Sequence, residues 1–125
     1  EQCVVRTAYK AMVPERRVGH TRHGGAWVDV GKPRAYLEAN LAVLDGTVVT
    51  PIDPWSRGER GRDGSWIGFD ARVDGAVSHS VIGSGAVVPA DADLTDCVVW
   101  DGVTVPSGTY RRAVIYDGGE VLQID

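Results

Sequence analysis

Four seven-residue segments of this 125-residue chain repeat one another. Ser65-Trp66-Ile67-Gly68-Phe69-Asp70-Ala71 returns fifteen residues later as Ser80-Val81-Ile82-Gly83-Ser84-Gly85-Ala86. It returns seventeen residues after that as Cys97-Val98-Val99-Trp100-Asp101-Gly102-Val103, and sixteen later still as Ala113-Val114-Ile115-Tyr116-Asp117-Gly118-Gly119. A repeat this short cannot bury its own apolar face, so successive copies must stack as a solenoid.

Within the repeat, aliphatic residues recur six apart: Ile67 and Val73; Ile82, Val88 and Leu94; Val99 and Val105; Ile115 and Val121. Small or β-branched residues follow most of them by four: Ala71, Val77, Ala86, Ala92, Val98, Val103, Thr109 and Gly119. A helix needs apolar spacings of three and four, and a simple strand needs alternation at two. A six-residue beat with Gly at the corners fits short strands and tight turns coiled into a prism. The alternative is an antiparallel β-sandwich with coincidental spacing. The pattern resembles the hexapeptide repeat of the left-handed parallel β-helix. That resemblance alone implies the handedness, because general connection rules favour a right-handed crossover. Ile67, Ile82, Val99 and Ile115 are expected to form one interior stack, and Val73, Val88, Val105 and Val121 another. The uneven spacings fall short of three full hexapeptides per coil, so each coil has a trimmed corner or face.

Hydrophobic residues at 43% and charged residues at 24% suit an ordinary soluble domain, and the 16 glycines suit a turn-rich one. A net charge of −4 argues against a nucleic-acid surface. No apolar run has the length to span a membrane, and no signal-peptide pattern opens the chain. Cys3 and Cys97 show no metal-ligand spacing. Cys97 falls inside a coil and reads as a small core residue, and a cytoplasmic location is expected. The stretch from Arg57 to Arg62, interrupted by Glu59 and followed by Asp63, reads as a solvated loop.

The first third is a different kind of sequence. Residues 33 to 45 predict an amphipathic helix with Pro33 at its first position. Tyr36, Leu37, Leu41 and Leu44 share one face, with Ala39 and Val43 close by, and Gly46 is placed to stop it. A shorter helix is expected from Val5 to Val13, ended by Pro14, then a strand over Arg17 to Arg22 and a turn at Gly24-Gly25. Residues 47 to 64, with Pro51 and Pro54, read as the linker into the first coil.

The segment Gly25-Ala26-Trp27-Val28-Asp29-Val30-Gly31-Lys32-Pro33, followed by Tyr36-Leu37-Glu38-Ala39-Asn40, resembles the end of the catalytic domain in sugar-1-phosphate nucleotidyltransferases. Mannose-1-phosphate guanylyltransferases are the most similar subclass. Those enzymes carry an aromatic-x-Asp-x-Gly-Thr-Pro segment leading into a helix with Tyr-Leu-x-Ala-Asn, and many place a left-handed β-helix after it. Lys32 stands where the family has Thr. The resemblance implies three parts: residues 1–46 as a small α/β remnant of the catalytic domain, 47–64 as linker, and 65–125 as the left-handed β-helix. It also implies the reaction of a nucleoside triphosphate with a sugar 1-phosphate, with release of pyrophosphate. In that reaction Mg2+ and basic side chains neutralise the phosphates, and Asp29 matches one of two metal-binding aspartates. The competing role for Asp29 is to cap the turn that follows it.

The family's Gly-rich phosphate loop, its other metal-binding aspartate and its sugar-phosphate lysine have no counterpart here. The chain, starting at Glu1, therefore reads as a C-terminal fragment of a longer enzyme, with no complete catalytic set and no activity alone. Other candidates each carry a bland reading beside a sharp one. His20 and His23 could approach the sugar site or simply occupy an edge strand. His79, at a coil corner, could be the general base of a hexapeptide-repeat acyltransferase or a solvated side chain. Trp27, Trp66 and Trp100 read as packing residues rather than sugar platforms, and Trp55 as a cover for the end of the solenoid. Besides the nucleotidyltransferase and acyltransferase readings stands a non-catalytic assembly or regulatory module. A helix face that has lost its sheet, together with open coil ends, predicts a homo-oligomer.

Overall fold

The computed structural model describes residues 3–50, 53, 55–61 and 63–125. Pro51, Pro54 and Arg62, assigned above to the linker and its loop, lie outside them, as does Glu1. A π-type helical turn, Val5–Tyr9, runs on into α1 (Lys10–Met12), matching the short predicted helix. The expected strand over Arg17 to Arg22 does not form: these residues join no sheet and are exposed. Alternating side chains alone do not make a strand without an edge to pair with. The amphipathic segment is helix α2 (Pro33–Leu44), entered from extended Lys32 with Pro at its start.

The rest is a parallel β-solenoid, with eleven short strands among the described residues. These are β1 (Gly58–Arg60), β2 (Trp66–Gly68), β3 (Arg72–Val73), β4 (Ala76–Ser78), β5 (Val81–Ile82), β6 (Val87–Val88), β7 (Ala92–Thr95), β8 (Val98–Val99), β9 (Gly108–Arg111), β10 (Ala113–Tyr116) and β11 (Glu120–Gln123). The first face is a sheet ordered β1-β2-β5-β8-β10-β11, the second pairs β3 with β6, and the third is β4-β7-β9. Pairing from β2 through β10 is parallel, in the register Ile67–Ile82–Val99–Ile115. The first interior stack is therefore as the repeat predicts. On the second face Val73 pairs with Val88, and the Val87–Thr104 bridge extends the register to Val105. Val77, Leu94 and Tyr110 line up on the third face.

Two details depart from the repeat. Val121 does not join the second stack. The chain turns at Asp117-Gly118-Gly119, and β11 runs antiparallel to β10, with Val121 opposite Ile115 and 39% exposed. At the other end β1, expected to be linker, pairs antiparallel with β2. Val77 and Val98, among the small or β-branched residues four places after an aliphatic one, lie within strands, with Val98 on the outer side of the first face.

The uneven repeat length now has a location. In every coil the first and second faces are six positions apart (Ile67 to Val73, Ile82 to Val88, Val99 to Val105). The return from third face to first is always five (Val77 to Ile82, Leu94 to Val99, Tyr110 to Ile115). The remaining side takes four, six and five, which gives the observed fifteen, seventeen and sixteen. The short return corner is made by one left-handed residue in each coil: His79 (φ 45°), Asp96 (φ 54°) and Arg112 (φ 50°). None is glycine, so each carries some backbone strain.

The interior is dry and aliphatic: Ile82, Val88, Leu94, Val99, Val105 and Ile115 are all at most 2% exposed. One polar line runs through it beside the short corner. Ser65 Oγ accepts the Ser80 N–H at 3.0 Å, and Ser80 Oγ accepts the Cys97 N–H at 2.9 Å while donating to Ser78 O at 2.8 Å. The Ala113 N–H continues the line to the Cys97 sulfur, whose thiol burial pushes its pKa up. Every member gains a partner, which a buried polar line requires.

Helix α2 lies across the outer side of the first face. Leu37, Leu41 and Leu44 are buried there against Trp66, Val98, Val114 and Ile124. The predicted apolar face is correct, but it needs no second molecule: the chain's own solenoid covers it. Among the described residues no helix is long and apolar enough to cross a membrane.

Candidate functional site

The short corner gathers the densest polar chemistry of the fold. Because His79, Asp96 and Arg112 occupy equivalent positions of successive coils, their side chains stack outside the core. His79 Nδ1 contacts Asp96 Oδ1 in the next coil. His79 Nε2 lies 2.9 Å from Oδ1 of Asp45, the residue that ends α2. Arg112 Nη2 lies 3.4 Å from Glu38 of α2. Arg60 Nη2 donates to Leu44 O at 2.9 Å, and Arg34 reaches the Asp125 carbonyl. The helix is thus tied to successive coils along its length.

Both His79 nitrogens face carboxylates, so the imidazolium form is favoured. Its pKa is raised above the ordinary value by the hydrogen bond to Asp96 and then that to Asp45, with burial opposing. A general base needs a free lone pair aimed at the acceptor's proton. Here both ring nitrogens already lie against carboxylates, so neither is left open toward an acceptor. The geometry makes His79 a clasp between helix and solenoid rather than a base.

Asp29 sits in the extended segment leading to α2. Its Oδ1 accepts the Gly31 N–H at 2.9 Å, so the turn-capping role is realised. The side chain is exposed, and its second oxygen has no partner among the described residues. One carboxylate suits Mg2+ only as part of a shared shell, since that ion takes one or two carboxylates with phosphate oxygens and water. Among the described residues no three His, Cys, Asp or Glu side chains gather as metal ligands. His20 and His23 are exposed and outside any strand, and the hydrogen bonds of Asp29 and His79 go to other residues.

The tryptophans divide. Trp66 is buried beneath α2, as a packing residue should be. Trp27 is 80% exposed, contrary to the packing role expected, because its segment joins no sheet. Trp100 is half exposed, with its ring 5.5 Å from that of Tyr116. Trp55 covers the side of the solenoid rather than its end, its ring centroid 4.9 Å from that of Trp66. Sequence reasoning missed Asp45 and Asp96 altogether. The signal available was the seventeen-residue register from His79 to Asp96, which the repeat already contained. Comparison with family models, with curated proteins and with solved structures finds no match for this chain.

Proposed function

We propose that this chain is the C-terminal part of a sugar-1-phosphate nucleotidyltransferase, with a solenoid of the left-handed hexapeptide kind. The observation that carries the reading is an order of parts: the Trp27-to-Pro33 segment, then a helix bearing Tyr36-Leu37-x-Ala39-Asn40, then the solenoid to which that helix is clasped. In the intact enzyme a sugar-phosphate oxygen attacks the α-phosphorus of the nucleoside triphosphate. The new P–O bond forms as the bond to the bridging oxygen breaks, and pyrophosphate leaves with the charge. Bound Mg2+ would neutralise the phosphates. Asp29 offers one carboxylate oxygen to that shell while its other oxygen holds the Gly31 turn. The solenoid fixes the position of α2, and thereby the end of the Asp29 segment. Self-association in this reading uses the coil ends, since the helix face is already covered.

The test is pyrophosphate release by the full-length parent with Mg2+, a nucleoside triphosphate and sugar 1-phosphates. Activity that falls by orders of magnitude in Asp29→Asn, with the fold intact, supports the reading. A parent without such activity overturns it, and an active parent indifferent to Asp29→Asn leaves Asp29 as a turn cap only. The present chain alone is expected to release none.

A further inference from the structure

A cleft of about 500 Å3 opens between α2, the outer side of the first face and the turn Trp55-Ser56-Arg57. That volume lies within the range of small-molecule sites, about 300–1,000 Å3. Trp55, Trp66, Asn40, Ser84 and Asp101 are among its lining residues. Gly68 and Gly83, also in the lining, lack side chains for a structural reason. A Cβ on Gly68 would come 2.6 Å from Ser84 N, and one on Gly83 would come 2.5 Å from Asp101 N. Close coil-to-coil approach excludes side chains there and leaves room above.

The hydrogen-bonding inventory is specific. Asp101 Oδ1 accepts the Ser84 N–H at 2.7 Å, which fixes the carboxylate and leaves Oδ2 without a partner among the described residues. Asn40 Nδ2 donates to Tyr36 O at 2.9 Å, which leaves its carbonyl oxygen as an acceptor. Both free oxygens accept and cannot donate. Arg57 is the one cation among the described lining residues and Asp101 the one carboxylate, so the cleft has no excess positive charge to hold a phosphate. An indole face beside fixed acceptors suits a ring with C–H groups on one side and hydroxyls at its edge. The negative face of the ring attracts C–H hydrogens, and the acceptors take the hydroxyl protons.

We infer that this cleft binds a neutral pyranose sugar, stacked on Trp55 with its hydroxyls donating to Asp101 and Asn40. The inference does not depend on the nucleotidyltransferase reading, since it concerns binding by this chain alone. The experiment is a heteronuclear NMR titration with the methyl glycosides of glucose, mannose, galactose and N-acetylglucosamine, and in parallel with inorganic phosphate and a nucleoside monophosphate. A saturable shift of the Gly83, Ser84 and Trp55 indole signals by at least one glycoside is expected at millimolar concentration. Trp55→Ala is expected to abolish it, and Asp101→Asn to weaken it about tenfold, with the remaining spectrum unchanged. Asn40→Ala serves as a second variant should Trp55→Ala disturb Trp66. Glycoside binding that survives Trp55→Ala and Asp101→Asn, response to phosphate or nucleotide only, or no response at all would each overturn the inference.

Discussion

His79 and Asp45 stand 34 positions apart, yet Nε2 of one lies 2.9 Å from Oδ1 of the other. The contact joins the end of α2 to a coil corner, and the same ring reaches Asp96 one coil further on. A single imidazole therefore binds helix to solenoid and coil to coil.

This arrangement makes stability depend on pH. Folding raises the His79 pKa, first through Asp96 and then Asp45, so the native state holds the proton more tightly. The resulting stabilisation is complete below about pH 6.5, the ordinary imidazole value. It is lost as pH rises through the raised native value. The side chain is 34% exposed, so solvent screening keeps the effect modest. Urea midpoints measured from about pH 5 to about pH 9 should fall across that window, and His79→Gln should flatten the fall. An unchanged pH profile in His79→Gln would remove the clasp from the account.

The buried polar line gives a second test. Ser80 is fully buried, and its hydroxyl is the partner of the Cys97 N–H. Ser80→Ala leaves that donor unsatisfied and should cost about 1–3 kcal/mol. Ser80→Cys places at this position the side chain found one coil later, and should recover part of the loss. Equilibrium unfolding in urea compares the three proteins; Ser80→Ala at wild-type stability would mean the line is ornamental.

Interior and edge should respond differently to truncation. Leu94 is wholly buried on the third face, and Leu94→Ala should cost about 2–5 kcal/mol through lost burial and a cavity. Val121, which the hairpin at Asp117-Gly118-Gly119 turns outward, should tolerate Val121→Ala within about 0.5 kcal/mol. Comparable losses at the two positions would restore Val121 to an interior stack and contradict the antiparallel ending.

The docked helix predicts an inversion in assembly. Leu37→Asp should detach α2, because a charge cannot remain unpaired in that contact. Trp66, Val98 and Val114 would then be exposed, and the variant should self-associate more than the parent protein. Light scattering through a dilution series distinguishes the cases. A wild-type dimer that Leu37→Asp dissolves would show that the helix face is shared between molecules after all.

The core residues were legible in sequence because a solenoid asks the same question at each coil. Ile67, Ile82, Val99 and Ile115 occupy one repeat position, and a position that recurs must face the same way each time. The amphipathic stripe of α2 was legible for a similar reason, since Leu37, Leu41 and Leu44 can be buried together only on a helix. The end of the solenoid was not. Ala113 to Gly119 looks like the other copies, and nothing in its spacing says that the next strand will reverse instead of turning the corner.

The sequence by itself determined the repeat, its inward positions and the existence of a helix with one apolar side, all of which follow from local periodicity. Only the tertiary structure decided what that side packs against, where each coil is shortened, and which charges meet at the shortened corner. A corner of five rather than six residues brings position 79 of one coil against position 96 of the next, and places both beneath the end of α2. The repeat register already aligned positions 79 and 96, but the approach of Asp45 depends on how the helix packs on the coils in three dimensions, and no spacing along the chain encodes it.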